Sequence, residues 1–561
     1  MLSRREALLS AAAVFLVALI VRAWAATQVT FPRPEDVAYY LGVARNLVEG
    51  RGLITDAIWS FQTPPLSFPR PAFEVWLPLP SLLAAIPMAL FGTTFAAAQT
   101  SSVIVGSIVA VLAWRLAADV AEARSMPVGR ARTLALGTGL TAGVYLPLVL
   151  ASVQPDSTMP FAALVIGACL VMTRLQRMGS RPRELVVLGG LLGLGALTRN
   201  EAAWLALTWA IIAWGIARQA PDQADATGSL RGWLGRWLRL VGAPAIVALL
   251  VFAPWAYRDW VAFGSPFPGQ ALTNALSLDG RDIFAWRDQP TLSRYLDAGI
   301  VRLLELRWVG TVHNITQVLL LLGVPLSVVG LIGLPGAWGR GPATTTVNPL
   351  RPLFLFSVIT FAVASLVFPV STTWGTFLHA AGAIHVLLVI AALLVLDAVI
   401  GWVGARRGWT KPVAWLGPAF AIAGCLLFSG RLLPDDGRAA RETGTRYAEL
   451  AAALEGGAAG VVLTDEPGPV MTDFPIWFAE ATRHYAIALP NEPPESILDL
   501  ARSFDPPARL LIVGADNTGV WPAAILDGAP GSECFVPIQL PDPAAHPGAL
   551  DGFLAFMIRC P

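Results

Sequence analysis

The sequence predicts a polytopic α-helical membrane protein of about eleven transmembrane helices, with a C-terminal extracytoplasmic α/β domain. Three observations carry this. Hydrophobic residues make up 55% and charged residues 14% of the 561, whereas soluble domains carry roughly 25% charged residues. Apolar stretches close to the ~20 residues that cross the hydrocarbon as a helix recur from residue 8 to about residue 430. Beyond that point the pattern changes to short alternating helices and strands.

The same composition narrows the functions. A formal net charge of +1 with no basic tract gives no footprint for nucleic acid. Only Lys411 among the 39 basic residues is lysine, a mark of a GC-rich genome rather than of mechanism. Four cysteines are too few for a disulfide scaffold, and no Cys/His spacing suggests zinc. Arg4 and Arg5 precede an apolar run that is longer than a signal-peptide core and contains Arg22. AWA at 23–25 resembles a cleavage site, but the run is read as an uncleaved first helix with a cytoplasmic N-terminus.

Spans are expected near 8–28, 95–118, 133–152, 157–174, 184–198, 202–218, 239–257, 313–337, 352–370, 377–402 and 412–430. The segment 76–92 is apolar but holds Pro78, Pro80 and Pro87, each of which removes a backbone donor. Counting it as a span would put Arg124, Arg130, Arg132 and the 174–183 arginines outside. Reading it as interfacial or re-entrant places every arginine-rich loop inside, as the positive-inside rule asks. A membrane module 1–430 then carries a long first outer loop (29–94) and a second (258–312).

The tail, 431–561, is expected to be an extracytoplasmic α/β domain. RYAELAAALEGG and PESILDLARSF have helical spacing, and GVVLTDEP (460–467) and RLLIVGAD read as strands. GGAAG at 456–460 precedes a strand, the wrong context for a phosphate loop. Cys534 and Cys560 could pair or stay free.

Candidate chemistry collects at one membrane face. PEDVAYYLGVARNLVEGRGL reads as a helix entered at Pro34 and ended near Gly50. Glu35 and Asp36 suit its positive N-terminal end on structural grounds alone, yet they also open an aromatic helix at the outer interface, with Tyr39 and Tyr40 one turn on. Trp59, Phe61, Phe68, Phe73 and Trp76 suit an interfacial belt, and Glu74 is a lone carboxylate among them. Asp156 in QPD starts a span. Arg199 and Glu201 interrupt apolar sequence in TRNE, where an ion pair is the plain alternative to a site. Arg258 and Asp259 mark a span exit. His379 lies at the outer end of a span, and His385 lies about two turns deeper.

This order of features, from the acidic helix through the aromatic-proline stretch, QPD and TRNE to PWAYRDWVAFGSPFP, resembles the GT-C glycosyltransferases, which include protein O-mannosyltransferases and the lipid A aminoarabinose transferase. The resemblance covers roughly residues 8–400 and is weakest in the tail. It implies a GT-C-like bundle that takes a sugar from a polyprenyl-phosphate donor and passes it to a lipid, glycan or protein acceptor. It implies Asp36 as the acid/base, with Glu35 as its alternate. Arg199 and Arg258 would hold phosphate, and Tyr40, Glu74, Asp156, Glu201 and His379 would contribute to substrate binding. Glu-Asp replaces the family's usual Asp-Asp or Asp-Glu, and QPD lacks the paired acids of metal-using oligosaccharyltransferases. A divalent metal could be held through Asp36 and Asp156 but is not expected. The implied location is a bacterial inner membrane, with the tail outside.

Two other classes fit the many spans. A lipid or glycan flippase would show repeated halves and broken polar helices at the midplane, and no internal repeat stands out. A noncatalytic assembly protein would tolerate neutral replacements at Asp36 and Arg199. A serine hydrolase is disfavoured by the lack of a GxSxG elbow.

Overall fold

The computed structural model describes residues 3–560 apart from 180, 220–229, 339–346, 411–412 and 458–462. The first ten helices are α1 (Arg4–Gln28), α2 (Glu35–Val48), α3 (Leu79–Phe91), α4 (Phe95–Ala123), α5 (Val128–Val144), α6 (Leu146–Val153), α7 (Thr158–Met178), α8 (Pro182–Ala196), α9 (Ala202–Gln219) and α10 (Leu230–Phe263). Later long helices are Gly299–His313, Leu326–Trp338, Arg351–Leu366, Gly382–Arg406 and Leu416–Glu455.

Each of the eleven expected spans has a helix or a bent pair of helices. Among the described residues, six helices are long and apolar enough to cross alone, and two bent pairs bring the number to eight. The other three, α8, α9 and Arg351–Leu366, are 15, 18 and 16 residues long. The chain is a multi-pass membrane protein. Helix α3, at 13 residues, rises only about 20 Å, too little for a ~30 Å hydrocarbon core.

The bundle interior is close-packed between α4, α7 and Gly382–Arg406, while α1 and α10 bury few of their residues and face outward. Arg22 explains how α1 joins this core with a charge in mid-span. It is fully buried and donates from Nε to Ser152 Oγ (2.8 Å), and from its terminal nitrogens to the carbonyls of Gly143 (2.8 Å) and Ala142 (3.1 Å). These carbonyls lie at the 51° break between α5 and α6, where the helical ladder is interrupted and acceptors are freed.

Several boundaries differ from the sequence reading. The expected straight span 313–337 is instead a bent pair: Gly299–His313 continues through a π-helical turn to Gly323, then turns by 118° into the next helix. Pro325, which has no N–H to donate, sits at the bend. The second outer loop is correspondingly shorter, since α10 runs to Phe263 and the bent pair begins at Gly299, with only the short helices Ala271–Leu276, Gly280–Phe284 and Leu292–Asp297 between.

Helix Leu416–Glu455 passes without a break through residue 430, where the sequence reading divides the chain. It leads to a six-stranded sheet in the order β2-β5-β4-β6-β8-β7. The strands are β1 (Ile54–Thr55), β2 (Ala57–Ile58), β3 (Arg70–Pro71), β4 (Val470–Thr472), β5 (Ala486–Ala488), β6 (Leu510–Gly514), β7 (Phe535–Ile538) and β8 (Phe553–Ile558). Strands β2, β5, β4 and β6 run parallel, and β8 and β7 complete the sheet antiparallel. β1 and β3 form a separate two-stranded ribbon. Strand β2 comes from the first outer loop, so the α/β unit draws on both segments. Of the strand expected at 460–467, residues 460–462 lie outside the described residues and Leu463–Asp465 forms a 3-10 turn. Cys534 and Cys560 are disulfide-bonded.

The aromatic residues of the first loop are core rather than a membrane belt. Phe61 and Phe73 are buried, and Trp59 packs on Trp76 and Phe284 with centroids 4.9 and 5.0 Å apart. The loop is held beneath the α/β unit because its apolar rings fill that seam.

Candidate functional site

Helix α2 begins at Glu35 after Pro34, whose ring cannot donate a backbone N–H, and it ends before Gly50, which takes a left-handed φ of +80°. This sets Asp36 in the first turn. Asp156 sits between α6 and α7 and accepts from the Thr158 amide (2.8 Å) and the Thr158 hydroxyl (3.0 Å). His379 belongs to the short helix Thr376–Ala380, entered through Gly375 at φ +109°. A side chain at Gly375 would be strained there, and its Cβ would fall 3.4 Å from His379 Nε2.

Three segments, remote in sequence, converge on His379. Its Nε2 lies 3.0 Å from Asp36 Oδ2, and its Nδ1 lies 3.0 Å from Asp156 Oδ2. The side chains of Asp36, Asp156 and His379 are 13%, 4% and 9% exposed. A carboxylate at each ring nitrogen is satisfied when both nitrogens donate, which is the imidazolium form. Burial alone would raise the Asp36 carboxyl, but the charge and hydrogen bond of His379, with Arg199 beyond, hold it below its ordinary value.

Arg199 braces the other side. Its Nε and one terminal nitrogen grip Glu201 at 3.0 and 2.8 Å, and it donates to Ser157 Oγ (2.8 Å) and Thr376 O (3.0 Å). Four of its five N–H groups are thereby committed, leaving one among the described residues. Tyr40 is buried beside Arg199, Asp36, Ser157 and Asp156. Asp36, Tyr40, Asp156, Arg199, Glu201 and His379 therefore form one constellation.

Three sequence candidates lie elsewhere. Glu35 turns to the α/β unit, where its Oε1 accepts from the amides of Ile476 (3.1 Å) and Trp477 (3.4 Å) at the start of helix Pro475–Thr482. Burial pushes its carboxyl up to about 8 against the pull of those amides, and Asp473 and Asp36 add to the rise. Glu74 is buried with Arg70 (3.5 Å) under the first loop, and both its carboxylate oxygens lack a hydrogen-bond donor among the described residues. Arg258, expected to hold phosphate, instead donates to Ala72 O (2.7 Å), Leu53 O (3.2 Å) and Asp259 (2.9 Å), and lies over the Trp255 ring. Its long side chain is drawn to loop carbonyls that sequence could not locate.

The sequence reading passed over Ser157, Thr158 and Gly375. A hydroxyl two residues after an Asp is a local capping signal, so Thr158 was accessible. The role of Gly375 shows only in its backbone angle.

The donor set also bears on a metal. One ligand atom from each of Asp36, Asp156 and His379 lies within 4.8 Å of the others. Two carboxylate oxygens and an imidazole nitrogen suit a divalent transition ion in type and proximity, provided His379 gives up one of the ring protons that it donates to a carboxylate.

No family model matches the chain, and no curated protein sequence does. Solved structures do. ArnT from Cupriavidus metallidurans bound to undecaprenyl phosphate is 12% identical with a TM-score of 0.57, and the match covers 97% of each chain. The Archaeoglobus fulgidus oligosaccharyltransferase tethered to an acceptor peptide is 14% identical with a TM-score of 0.54, over 93% of this chain and 72% of that one. The same oligosaccharyltransferase in complex with Zn and sulfate gives 0.50 at 11% identity, over 92% of this chain and 71% of that one. The end-to-end match with ArnT, together with the helical bundle roofed by an α/β unit, establishes that this chain has the fold of the GT-C glycosyltransferases.

Proposed function

We propose that this protein is a membrane glycosyltransferase that moves a sugar from a polyprenyl-phosphate carrier to an acceptor hydroxyl at the extracytoplasmic face, with Asp36 as the base. The single observation that carries the reading is the buried Asp36–His379–Asp156 chain at one end of the bundle. The undecaprenyl phosphate bound by ArnT supports a polyprenyl-phosphate carrier, and the acceptor peptide of the archaeal enzyme supports an acceptor in general.

In this reaction the bond between the anomeric carbon and the phosphate oxygen breaks, and its electron pair leaves with the lipid phosphate. The acceptor oxygen forms the new bond to carbon and gives up its proton to Asp36, which must lie within hydrogen-bond reach of it. His379, held by Asp156, keeps Asp36 ionised until then. Arg199 offers one free N–H and its charge to the phosphate. A divalent ion, when bound, would be held by Asp36, Asp156 and a deprotonated His379, and would supply positive charge in place of the imidazolium.

The test is release of free polyprenyl phosphate by protein in nanodiscs supplied with a panel of polyprenyl-phosphate sugars. Wild type is expected to release it with one donor, and Asp36→Asn to be slower by about 10²-fold or more. Release by Asp36→Asn at the wild-type rate, in protein of equal abundance, would remove Asp36 as the base. No release from any donor, with acceptor extract and divalent metal present, would favour transport or assembly.

A further inference from the structure

A crevice of about 370 Å³ opens between α1, α4 and α5, lined by Ala7, Trp114, Arg115, Asp119, Glu122 and Arg132 among others. It lies at the end of the bundle remote from Asp36. At the opposite end, near the site, the end of α1 meets the start of α4 through Gln99, which donates to Val29 O (3.0 Å) and Val153 O (2.9 Å). The crevice is instead bounded by the first turns of α1 and the last turns of α4. Its volume falls within the ~300–1,000 Å³ of small-molecule sites.

The walls carry both signs of charge, partly paired with each other. Arg115 pairs with Asp119 one turn along α4 (2.6 Å), and Arg132 of α5 pairs with Glu6 of α1 (2.7 Å). Both guanidinium side chains remain close to half exposed, at 45% and 41%. The Nε of Arg132 and the indole N–H of Trp114, a residue 5% exposed, are buried without an acceptor among the described residues. Unpaired buried donors are costly, and two of them belong to residues that line the crevice, one on α4 and one on α5. Asp119 is buried and Glu122 exposed on the α4 side. Arg177 of α7 reaches the Asp119 carbonyl from behind (3.4 Å).

Helices α1 and α4 cross the membrane, so the crevice stands at a membrane–water boundary, where lipid headgroups are the resident polar molecules. Arginines and unpaired donors from α4 and α5 suit a phosphate, and the α4 carboxylates one and two turns beyond Arg115 suit an ammonium. We propose that this crevice binds the zwitterionic headgroup of an aminophospholipid, with its phosphate on Arg115 and Arg132 and its primary ammonium on Asp119 and Glu122.

The full chain, purified in mild detergent, would be titrated with dioleoyl phosphatidylethanolamine, phosphatidylglycerol and phosphatidylcholine while bound lipid is counted by native mass spectrometry. Phosphatidylethanolamine is expected to bind roughly tenfold more tightly than either of the others, the scale of one charge-assisted hydrogen bond. Asp119→Asn should erase the preference over phosphatidylglycerol. Should that variant misfold, Glu122→Gln at the exposed position should narrow it. Equal or tighter binding of phosphatidylglycerol would make the crevice a simple basic patch and overturn the proposal. So would equal binding of phosphatidylcholine, whose trimethylated nitrogen cannot donate, or no bound lipid at all.

Discussion

One residue of α-helix turns the side chain by about 100°, and that rotation separates Glu35 from Asp36. Asp36 meets His379, while Glu35 meets the amides that open helix Pro475–Thr482. Their titrations consequently have opposite signs. The folded state raises the Glu35 carboxyl from 4.5 to about 8, so the stability this group lends is full below pH 4.5 and is lost as pH climbs through about 8. The folded state lowers the Asp36 carboxyl, so its contribution is present above the ordinary 3.8 and is lost as pH falls through its lower folded value. Thermal unfolding in nanodiscs should therefore show a midpoint that declines from pH 5 to 9 in wild type. In Glu35→Gln the decline should be shallower. An unchanged slope would mean that Glu35 is not protonated in the folded protein. Asp36, Asp156 and His379 were legible as residue types at the ends of apolar stretches, because a charge at a membrane edge needs a reason. Arg258 reaches the carbonyls of Ala72 and Leu53, acceptors that only the folded loops locate.

At the scale of elements, an ion pair helps tie α2 to the α/β unit. Arg45 of α2 grips Glu480 of helix Pro475–Thr482 through both terminal nitrogens, at 2.6 and 2.5 Å, with side chains 6% and 12% exposed. Removing one partner of a buried pair strands the other charge. Arg45→Ala should cost about 3 kcal/mol, read as loss of protease resistance in the 475–502 region. The double variant Arg45→Met, Glu480→Leu should recover much of it. Helix α2 was legible to within a residue because proline and glycine bracket it. The bend at 314–325 was not, since its residues are as apolar as a straight span and what turns the chain is packing with Pro325.

For the whole molecule, the eleven hydrophobic stretches were legible because the bilayer demands length and polarity of every span. The composition of the sheet was not. Ala57 and Ile58 make too short a strand to carry a pattern, and pairing across such a distance leaves no local trace. The closing disulfide joins Cys534 and Cys560, 26 residues apart, a loop whose closure restricts the unfolded chain by about 3.5 kcal/mol. Cys560→Ser should lower the denaturant midpoint of the α/β unit accordingly, with Trp521, packed on Phe535 beside Cys534, as the fluorescent reporter.

Strand β2 has a further consequence, in the order in which the protein is made. Residues 57 and 58 leave the ribosome early, while their partners at 486 and 487 emerge only after some four hundred more. Glu35 likewise waits for the amides of Ile476 and Trp477. Through most of its synthesis the chain is thus a set of inserted helices whose first loop has nowhere to dock. The roof beside Asp36 closes only when translation is nearly complete, so an interrupted chain would leave a bundle in the membrane without the α/β unit that Glu35 and β2 dock against.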